Sequence, residues 1–206
     1  MNLRINKKKF IYLISPNRVS EKFFRNLAYV LKSGKISIFQ LRLKNYSLKK
    51  KFLIGKKIKN ICKKYKVKFL VNDDPLLALK LDADGCHLGQ KDMDIKEAKK
   101  IINNKIIGVT CHNSISLAKK AIKAKANYIA FGAFYSSKTK KTKYVASIKI
   151  LNKVKKFTKT PIVAIGGINS DNYKNLLLNN ANFLAISGYI WNNKKYKPLE
   201  ALKKLK

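Results

Sequence analysis

The chain has 206 residues, of which 47 are Lys or Arg and only 10 are Asp or Glu, so that its net charge at neutral pH is +37. Hydrophobic residues make up 46% of the chain, which is enough to bury a core, and we expect residues 1–206 to form a single domain. No apolar run approaches the roughly 18 residues that a membrane span requires. Together with three widely spaced cysteines, this predicts a cytoplasmic protein with reduced thiols and no membrane partner.

The strong positive charge is a feature of many nucleic-acid-binding proteins. The lysines are nevertheless spread along the whole chain, and the only arginines are at positions 4, 18, 25 and 42. Abundant Lys, Asn and Ile are what AT-rich codons supply, so we interpret the charge as compositional drift and expect no specific nucleic-acid partner. A basic nucleic-acid-binding protein remains the alternative from another functional class.

Short apolar runs typical of buried parallel strands alternate with segments of helical spacing. The strands are predicted at Phe10–Ser15, Ile38–Leu43, Phe69–Val71, Gly85–Leu88, Ile106–Thr110, Tyr128–Gly132, Pro161–Ile165 and Phe183–Ser187. Helices are predicted to begin at Ser20, Ser47, Ser114 and Ser170-Asp171, while Pro75–Leu81 and the stretch after Lys140 are shorter or less regular. Eight strands that alternate with helices predict an α/β fold, specifically a (β/α)8 TIM barrel.

Acidic residues are concentrated where the third and fourth strands end. Six of the ten fall within one window, at Asp73, Asp74, Asp82, Asp84, Asp92 and Asp94. Active sites of such barrels lie at the carboxyl ends of the strands, and carboxylates from two adjacent ends can share one Mg²⁺. The same residues could instead cap helices, with Asp73 or Asp74 before Pro75 and Asp92 or Asp94 before the next helix. Both interpretations stay open.

Polar groups at the ends of other strands favour the binding of anions. Gln40, Arg42 and Lys44 alternate along the second strand, so their side chains face the same way, into the barrel mouth. The fifth strand ends in Thr110-Cys111-His112, and the sixth is followed by the hydroxyl- and amine-rich segment Ser136–Lys140.

Small residues end the last two strands, with Gly166-Gly167 after the seventh and Ser187-Gly188 after the eighth. Backbone N–H groups at these positions form the usual phosphate site of a TIM barrel. The mouth therefore combines two anion-binding regions, which suits two phosphorylated small-molecule substrates.

From about Tyr12 to Trp191 the sequence resembles the thiamine phosphate synthase family. The matching stretches are Gln40–Lys44, Asn72-Asp73, Ala83–Asp92, Gly108–His112, Thr139-Lys140 and Ala164–Ile168. The resemblance implies a Mg²⁺-dependent transferase of thiamine biosynthesis. Such an enzyme condenses 4-amino-5-hydroxymethyl-2-methylpyrimidine diphosphate with thiazole phosphate, giving thiamine phosphate and pyrophosphate.

The resemblance also assigns roles to individual residues. It implies Asp73 and Asp92 as Mg²⁺ ligands, and Arg42, Lys44 and Lys140 as the catalytic cations. The pyrimidine diphosphate would be bound by Gln40, Arg42, Lys44, Asn72, Thr110 and Lys140, and the thiazole phosphate by Ser137, Thr139, Gly167, Ser187 and Gly188.

The sequence departs from the common family pattern at four places. Asp74 stands where Arg is usual, Thr110 where Ser is usual, and Gly188 where many members carry a second Ser. The loop after the sixth strand reads Ser136-Ser137-Lys138-Thr139-Lys140 where Pro-Thr-x-Thr-Lys is usual. A thiazole tautomerase of the same superfamily, with His112 as its acid–base group, is the nearest alternative function. A homo-oligomer is compatible with the sequence.

Overall fold

A computed structural model describes residues 3, 9–136 and 144–206. Eight parallel strands form a closed barrel in which each strand pairs with the next and the eighth pairs with the first. Helices alternate with the strands along the chain. The predicted (β/α)8 barrel is therefore confirmed.

The strands are short, as the apolar runs indicate. They are β1 Ile11–Ile14, β2 Ile36–Leu41, β3 Lys68–Asn72, β4 Gly85–Leu88, β5 Ile106–His112, β6 Tyr128–Gly132, β7 Ile162–Ile165 and β8 Phe183–Ile186. The helices are α1 Glu21–Lys32, α2 Leu48–Lys64, α3 Pro75–Lys80, α4 Ile95–Ile102, α5 Ile115–Lys123, α6 Lys149–Lys155, α7 Tyr173–Leu178, α8 Gly188–Trp191 and α9 Pro198–Lys203.

The strands separate two apolar cores. The larger lies between the barrel and its helices, and the smaller fills the barrel interior, where Tyr12, Ile38, Leu70, Tyr128 and Phe183 are all at most 2% exposed. Because side chains alternate along a strand, residues two positions beyond these interior residues also face inwards, at the mouth. All three cysteines are buried and unpaired.

Some predicted boundaries were wrong. β2 ends at Leu41 rather than at residue 43, and β5 continues to His112. Helix α7 begins at Tyr173 and not at Ser170-Asp171, because the side chains of Asn169 and Asn172 each accept a hydrogen bond from the other's backbone N–H and hold an intervening turn. The segment after Asp74 is a true helix, α3, with Pro at its first position.

Within the described part of the chain, none of the helices is long and apolar enough to cross a membrane.

Candidate active site

The inward-facing side chains of β2 and β3 meet at the carboxyl end of the barrel. Gln40, only 3% exposed, donates a hydrogen bond from Nε2 to Oδ1 of Asn72 at 3.1 Å. The interior residues Ile38 and Leu70 precede them by two positions, which is the alternation that the sequence predicts. Both amides are thus held in place before any substrate binds.

Asp73 and Asp92 form a carboxylate pair beside these amides. Asp73 has a left-handed backbone, with φ of 64°, and its N–H donates to the carbonyl of His87 at 2.8 Å. Oδ2 of Asp92 accepts from the N–H of Gly89 at 2.7 Å. Partial burial, together with the neighbouring Asp73 carboxyl, raises the pKa of Asp92 above its ordinary value. A carboxyl group whose ionisation is disfavoured by a neighbouring carboxyl group gains from a bound cation, so the pair forms a candidate cation site.

The two adjacent acids are the helix caps. Asp74 accepts a hydrogen bond from the N–H of Leu77 at 2.9 Å and caps α3, and Asp94 accepts from the N–H of Lys96 at 2.8 Å and caps α4. Capping and metal binding therefore fall to different acids in each of the two regions. Asp74 and Asp94 serve the helices, which leaves Asp73 and Asp92 for the site.

The remaining two acids of the window lie away from the mouth. Asp82 forms ion pairs with Lys59 at 2.9 Å and with Lys105 at 2.7 Å. Asp84 forms an ion pair with Lys68 at 2.6 Å and accepts a hydrogen bond from the N–H of Phe69. The acids between residues 73 and 94 thus have three separate roles: a candidate metal site, helix caps and ion pairs.

Two cations border the carboxylate pair, as expected. Nζ of Lys44 lies 3.4 Å from Oδ2 of Asp73, and 56% of the Lys44 side chain is exposed, so it can turn towards a ligand. Arg42 is half-buried; burial lowers the pKa of its guanidinium, and the nearby Asp73 carboxylate partly offsets this. An arginine resists deprotonation strongly enough to remain charged under these conditions.

Ser15, which the sequence analysis did not single out, fixes the backbone of Arg42. Its hydroxyl accepts from the N–H of Arg42 at 2.8 Å and donates to the carbonyl of Arg42 at 3.2 Å. The hydroxyl of Ser187 in turn donates to the carbonyl of Ser15 at 3.2 Å. Ser15 is 3% exposed and, apart from tyrosines and cysteines, is one of only two buried residues with a polar side chain among those the structure describes. Its sole sequence signal is a hydroxyl at the end of an apolar strand.

The opposite side of the mouth is built from backbone. Gly166 and Gly167 have φ of 107° and 61°, and the segment after β6 lies directly on them. The N–H of Tyr135 donates to the carbonyl of Gly166 at 3.1 Å, and a Cβ on Gly167 would lie 2.3 Å from the carbonyl oxygen of Ser136. Ser187 precedes Gly188, which begins α8. Ser137, Thr139 and Lys140 lie outside the described residues.

A chain of buried polar side chains leads from the barrel interior to Thr110. The hydroxyls of Tyr12 and Tyr128 are 2.8 Å apart, Nδ1 of His87 is 2.8 Å from the Tyr128 hydroxyl, and Nε2 of His87 is 2.8 Å from Oγ1 of Thr110. Gly108 makes room for it, since a Cβ there would lie 1.8 Å from the Tyr128 ring. Neither tyrosine was singled out from the sequence, because nothing in the strand pattern distinguishes a tyrosine that forms a hydrogen bond from a phenylalanine that only packs.

His112 ends β5 next to the mouth. It has φ of 52°, and its ring stacks on Tyr144 with 3.9 Å between ring centroids. A stacked, half-buried imidazole at this place matches the position that the tautomerase alternative requires, but the ring contact alone assigns it no chemistry.

The donor set at Asp73 and Asp92 fits a hard cation. Within residues 3, 9–136 and 144–206, no three His, Cys, Asp or Glu side chains lie close enough together to enclose a metal ion. Mg²⁺ does not need such a cage, because it is commonly bound by one or two carboxylates and completes its shell with phosphate oxygens and water. Asp73 and Asp92 would supply the two carboxylates, and a phosphorylated ligand in the mouth would supply the remaining oxygens.

Comparisons with known proteins agree with one another. Residues 11–190 match the family model described as thiamine monophosphate synthase. The chain is 69% identical to the thiamine-phosphate synthase of Pelagibacter ubique, with 98% of each chain covered, and 38% identical to that of Nitrosomonas eutropha, with 86% of this chain and 84% of the relative covered. Among solved structures, it is similar to the thiamine phosphate pyrophosphorylase of Pyrococcus furiosus, with a TM-score of 0.85, 30% identity, and coverage of 96% and 94%.

Proposed function

The chain belongs to the thiamine monophosphate synthase family and condenses the pyrimidine diphosphate with thiazole phosphate to give thiamine phosphate, and we propose that this transfer depends on Mg²⁺ and releases pyrophosphate. The observation that carries the proposal is the carboxylate pair Asp73–Asp92, bordered by Lys44 and Arg42. Acidic and cationic side chains lie together there, although acidic residues are scarce in the rest of the chain.

Asp73 and Asp92 would hold the metal ion. When bound, Mg²⁺ supplies positive charge against the oxygens of the diphosphate. Arg42 offers a planar fork for two of those oxygens, and Lys44 a mobile point charge. Lys140 is proposed as a third cation on the strength of the sequence alone.

The side chains at the ends of β2, β3 and β5 would position the pyrimidine. Gln40 and Asn72 are already hydrogen-bonded to each other, and Thr110 faces inwards from β5. When the C–O bond to the diphosphate breaks, negative charge grows on the leaving group, and Arg42 and Lys44 stabilise it in a site from which water is partly excluded. The methylene carbon becomes electron-poor and is then attacked by the thiazole nitrogen.

The backbone side of the mouth would hold the thiazole phosphate. Gly167, Ser187 and Gly188 are small and have backbone N–H groups suited to phosphate oxygens. From the sequence, Ser137 and Thr139 are proposed as further contacts. Held opposite the diphosphate, the thiazole nitrogen needs only to be brought close and in line with the methylene carbon. The reaction therefore requires no protein nucleophile.

The alternatives have less support. A tautomerase built on His112 would not use the carboxylate pair, and the relatives that the chain matches are synthases. We expect no specific nucleic-acid binding, because the lysines are spread along the whole chain. A cytoplasmic location and a homo-oligomer are part of the same proposal.

The proposal is tested by mixing the purified chain with both substrates and measuring thiamine phosphate and pyrophosphate while Mg²⁺ is varied. We expect equal amounts of the two products, none with EDTA, and none with Asp92→Ala. Asp94→Ser is the matched control, because it removes a nearby carboxylate while serine keeps the helix cap, and it should retain activity. Undiminished product in EDTA, or from Asp92→Ala, would contradict the metal's role.

A further inference from the structure

Four side chains form a single file of hydrogen bonds through the centre of the barrel. In order they are Tyr12, Tyr128, His87 and Thr110, with 2.8 Å at each of the three contacts. Tyr12 and Tyr128 are 2% and 0% exposed, whereas Thr110 is only partly buried, at the carboxyl end of β5. The file therefore has one closed end inside the apolar core and one end at the barrel mouth.

The closed end fixes the direction of the hydrogen bonds. Among the residues that the structure describes, the Tyr128 oxygen is the only hydrogen-bond partner of the Tyr12 hydroxyl. Burial raises the pKa of both tyrosines, so each hydroxyl keeps its proton. If Tyr128 donated to Tyr12, the Tyr12 proton would be left buried without an acceptor, which costs more than a lost bond between two solvated groups. Tyr12 is thus the donor and Tyr128 the acceptor.

The same direction continues through the imidazole. The Tyr128 proton can then go only to Nδ1 of His87, which must be the unprotonated nitrogen that accepts it. A neutral imidazole carries its proton on the other nitrogen, so Nε2–H donates to Oγ1 of Thr110. Every proton in the file has an acceptor in this arrangement, and the hydroxyl proton of Thr110 is left for an acceptor outside the file.

We propose that Tyr128 is a positioning residue, whose hydroxyl locks the His87 tautomer and thereby presents Thr110 to the pyrimidine diphosphate as a hydrogen-bond donor. The identity of the ligand rests on the proposed function. Its ring nitrogens and diphosphate oxygens are all acceptors, so a hydroxyl oriented as a donor matches them, while one that donated to His87 would not. Gln90 adds to the rigidity of this strand end by donating from Nε2 to the Thr110 carbonyl.

The tautomer can be read directly by ¹⁵N NMR on the labelled, substrate-free protein. The chain has only two histidines, and the spectrum of a His112→Gln variant assigns the His87 signals. We expect a neutral His87 with the proton on Nε2. A proton on Nδ1, or on both nitrogens, would overturn the proposal. The result does not depend on activity, so it stands apart from any failure of the proposed function.

Two variants that each remove one buried hydroxyl separate positioning from simple packing. In Tyr128→Phe, His87 loses the donor that holds Nδ1 unprotonated, so we expect mixed tautomers. The KM for the pyrimidine diphosphate should rise about three- to tenfold, the scale of one hydrogen bond, with an unchanged KM for the thiazole phosphate. In Tyr12→Phe, Tyr128 can still donate to His87, so the tautomer and both KM values should stay near those of the wild type.

Equal effects of the two variants on the pyrimidine diphosphate KM would contradict the proposal. If the four side chains had a purely structural role, loss of either tyrosine hydroxyl should change this KM to the same extent. If Tyr128→Phe does not fold, the wild-type NMR spectrum and the Tyr12→Phe kinetics still decide the question.

Discussion

The side of the mouth formed by β2 to β5 presents charged and amide side chains, whereas the side formed by β7 and β8 presents glycines, a serine and backbone groups. On the first side, Gln40 is already hydrogen-bonded to Asn72, and Lys44 forms an ion pair with Asp73. On the second, Gly166 and Gly167 lie directly against the chain that follows β6. Each side suits its expected ligand, since a diphosphate with a metal needs strong charges and a monophosphate can be held by N–H groups.

The difference predicts which kind of substitution weakens binding on each side. Recognition by side chains fails when a functional group is removed, and recognition by backbone fails when an atom is added. Ser15 touches both sides, because its hydroxyl bonds Arg42 and its carbonyl accepts from Ser187. The two ligand regions are therefore separate in chemistry but rest on one buried residue.

After the loss of the metal site itself, the largest effect should come from removing the half-buried cation Arg42. Arg42→Met keeps an unbranched, flexible side chain but would take positive charge and a hydrogen-bond fork away from the leaving diphosphate. Loss of one such stabilising group costs about 10²- to 10³-fold in kcat, which steady-state kinetics can measure. Arg25→Met, on the exposed face of α1, is the matched control and should be indistinguishable from the wild type. A kcat within threefold of the wild type would show that Arg42 does not act on the leaving group.

A smaller and more selective effect is expected on the backbone side. Gly167→Ala adds a Cβ that would lie 2.3 Å from the carbonyl oxygen of Ser136, at φ of 61°. The thiazole phosphate KM should rise about tenfold or more, because the added Cβ forces the Gly167 backbone away from the Ser136 carbonyl and displaces the N–H groups proposed to bind the phosphate. The left-handed backbone also costs about 1–2 kcal/mol in stability.

Gly34→Ala is the control for backbone strain in the Gly167 experiment. Gly34 has φ of 72° with nothing within 4 Å of the position a Cβ would take, so the variant should lose stability and keep both KM values. If Gly167→Ala changed the KM values of both substrates equally, the two sides of the mouth would not be independent.

The sequence predicted the strands and the inward-facing mouth residues well, because buried parallel strands are continuous apolar runs and side chains alternate by a fixed rule. Gln40 follows directly from that rule, whereas its partner Asn72 was assigned only through the family resemblance. The roles of the acids could not be predicted in the same way. Asp82 pairs with Lys59 and Lys105, which are 23 residues away on either side. Lys59 lies on α2 and Lys105 just before β5, so both pairs depend on how these segments pack in the barrel.

The buried hydroxyls were missed for a related reason. A tyrosine in an apolar strand has the same pattern as a phenylalanine, and its partner lies on a strand far along the chain, such as Tyr128 for Tyr12. Gly108 was read only as part of a motif, although its missing side chain is what admits the Tyr128 ring. Patterns within one strand carry no information about which strand will lie opposite in the barrel.

The smallest effect should come from Asp82, an exposed residue among the six acids between residues 73 and 94. Hydrogen bonds and charge from Lys105 and Lys59 lower the pKa of Asp82 to about 2, below its ordinary 3.8. Because the folded-state pKa is the lower one, the pairs stabilise the fold at pH above about 4, and this contribution disappears as the pH falls towards 2.

Asp82→Asn should therefore have a slightly lower unfolding temperature than the wild type at neutral pH, a difference that vanishes in acid, and unchanged kinetics with both substrates. Its side chain is 77% exposed, so solvent screening keeps the effect small. A loss of turnover in this variant would mean that the acidic window acts as a single unit, and that the division of its carboxylates between metal site, helix caps and surface ion pairs is wrong.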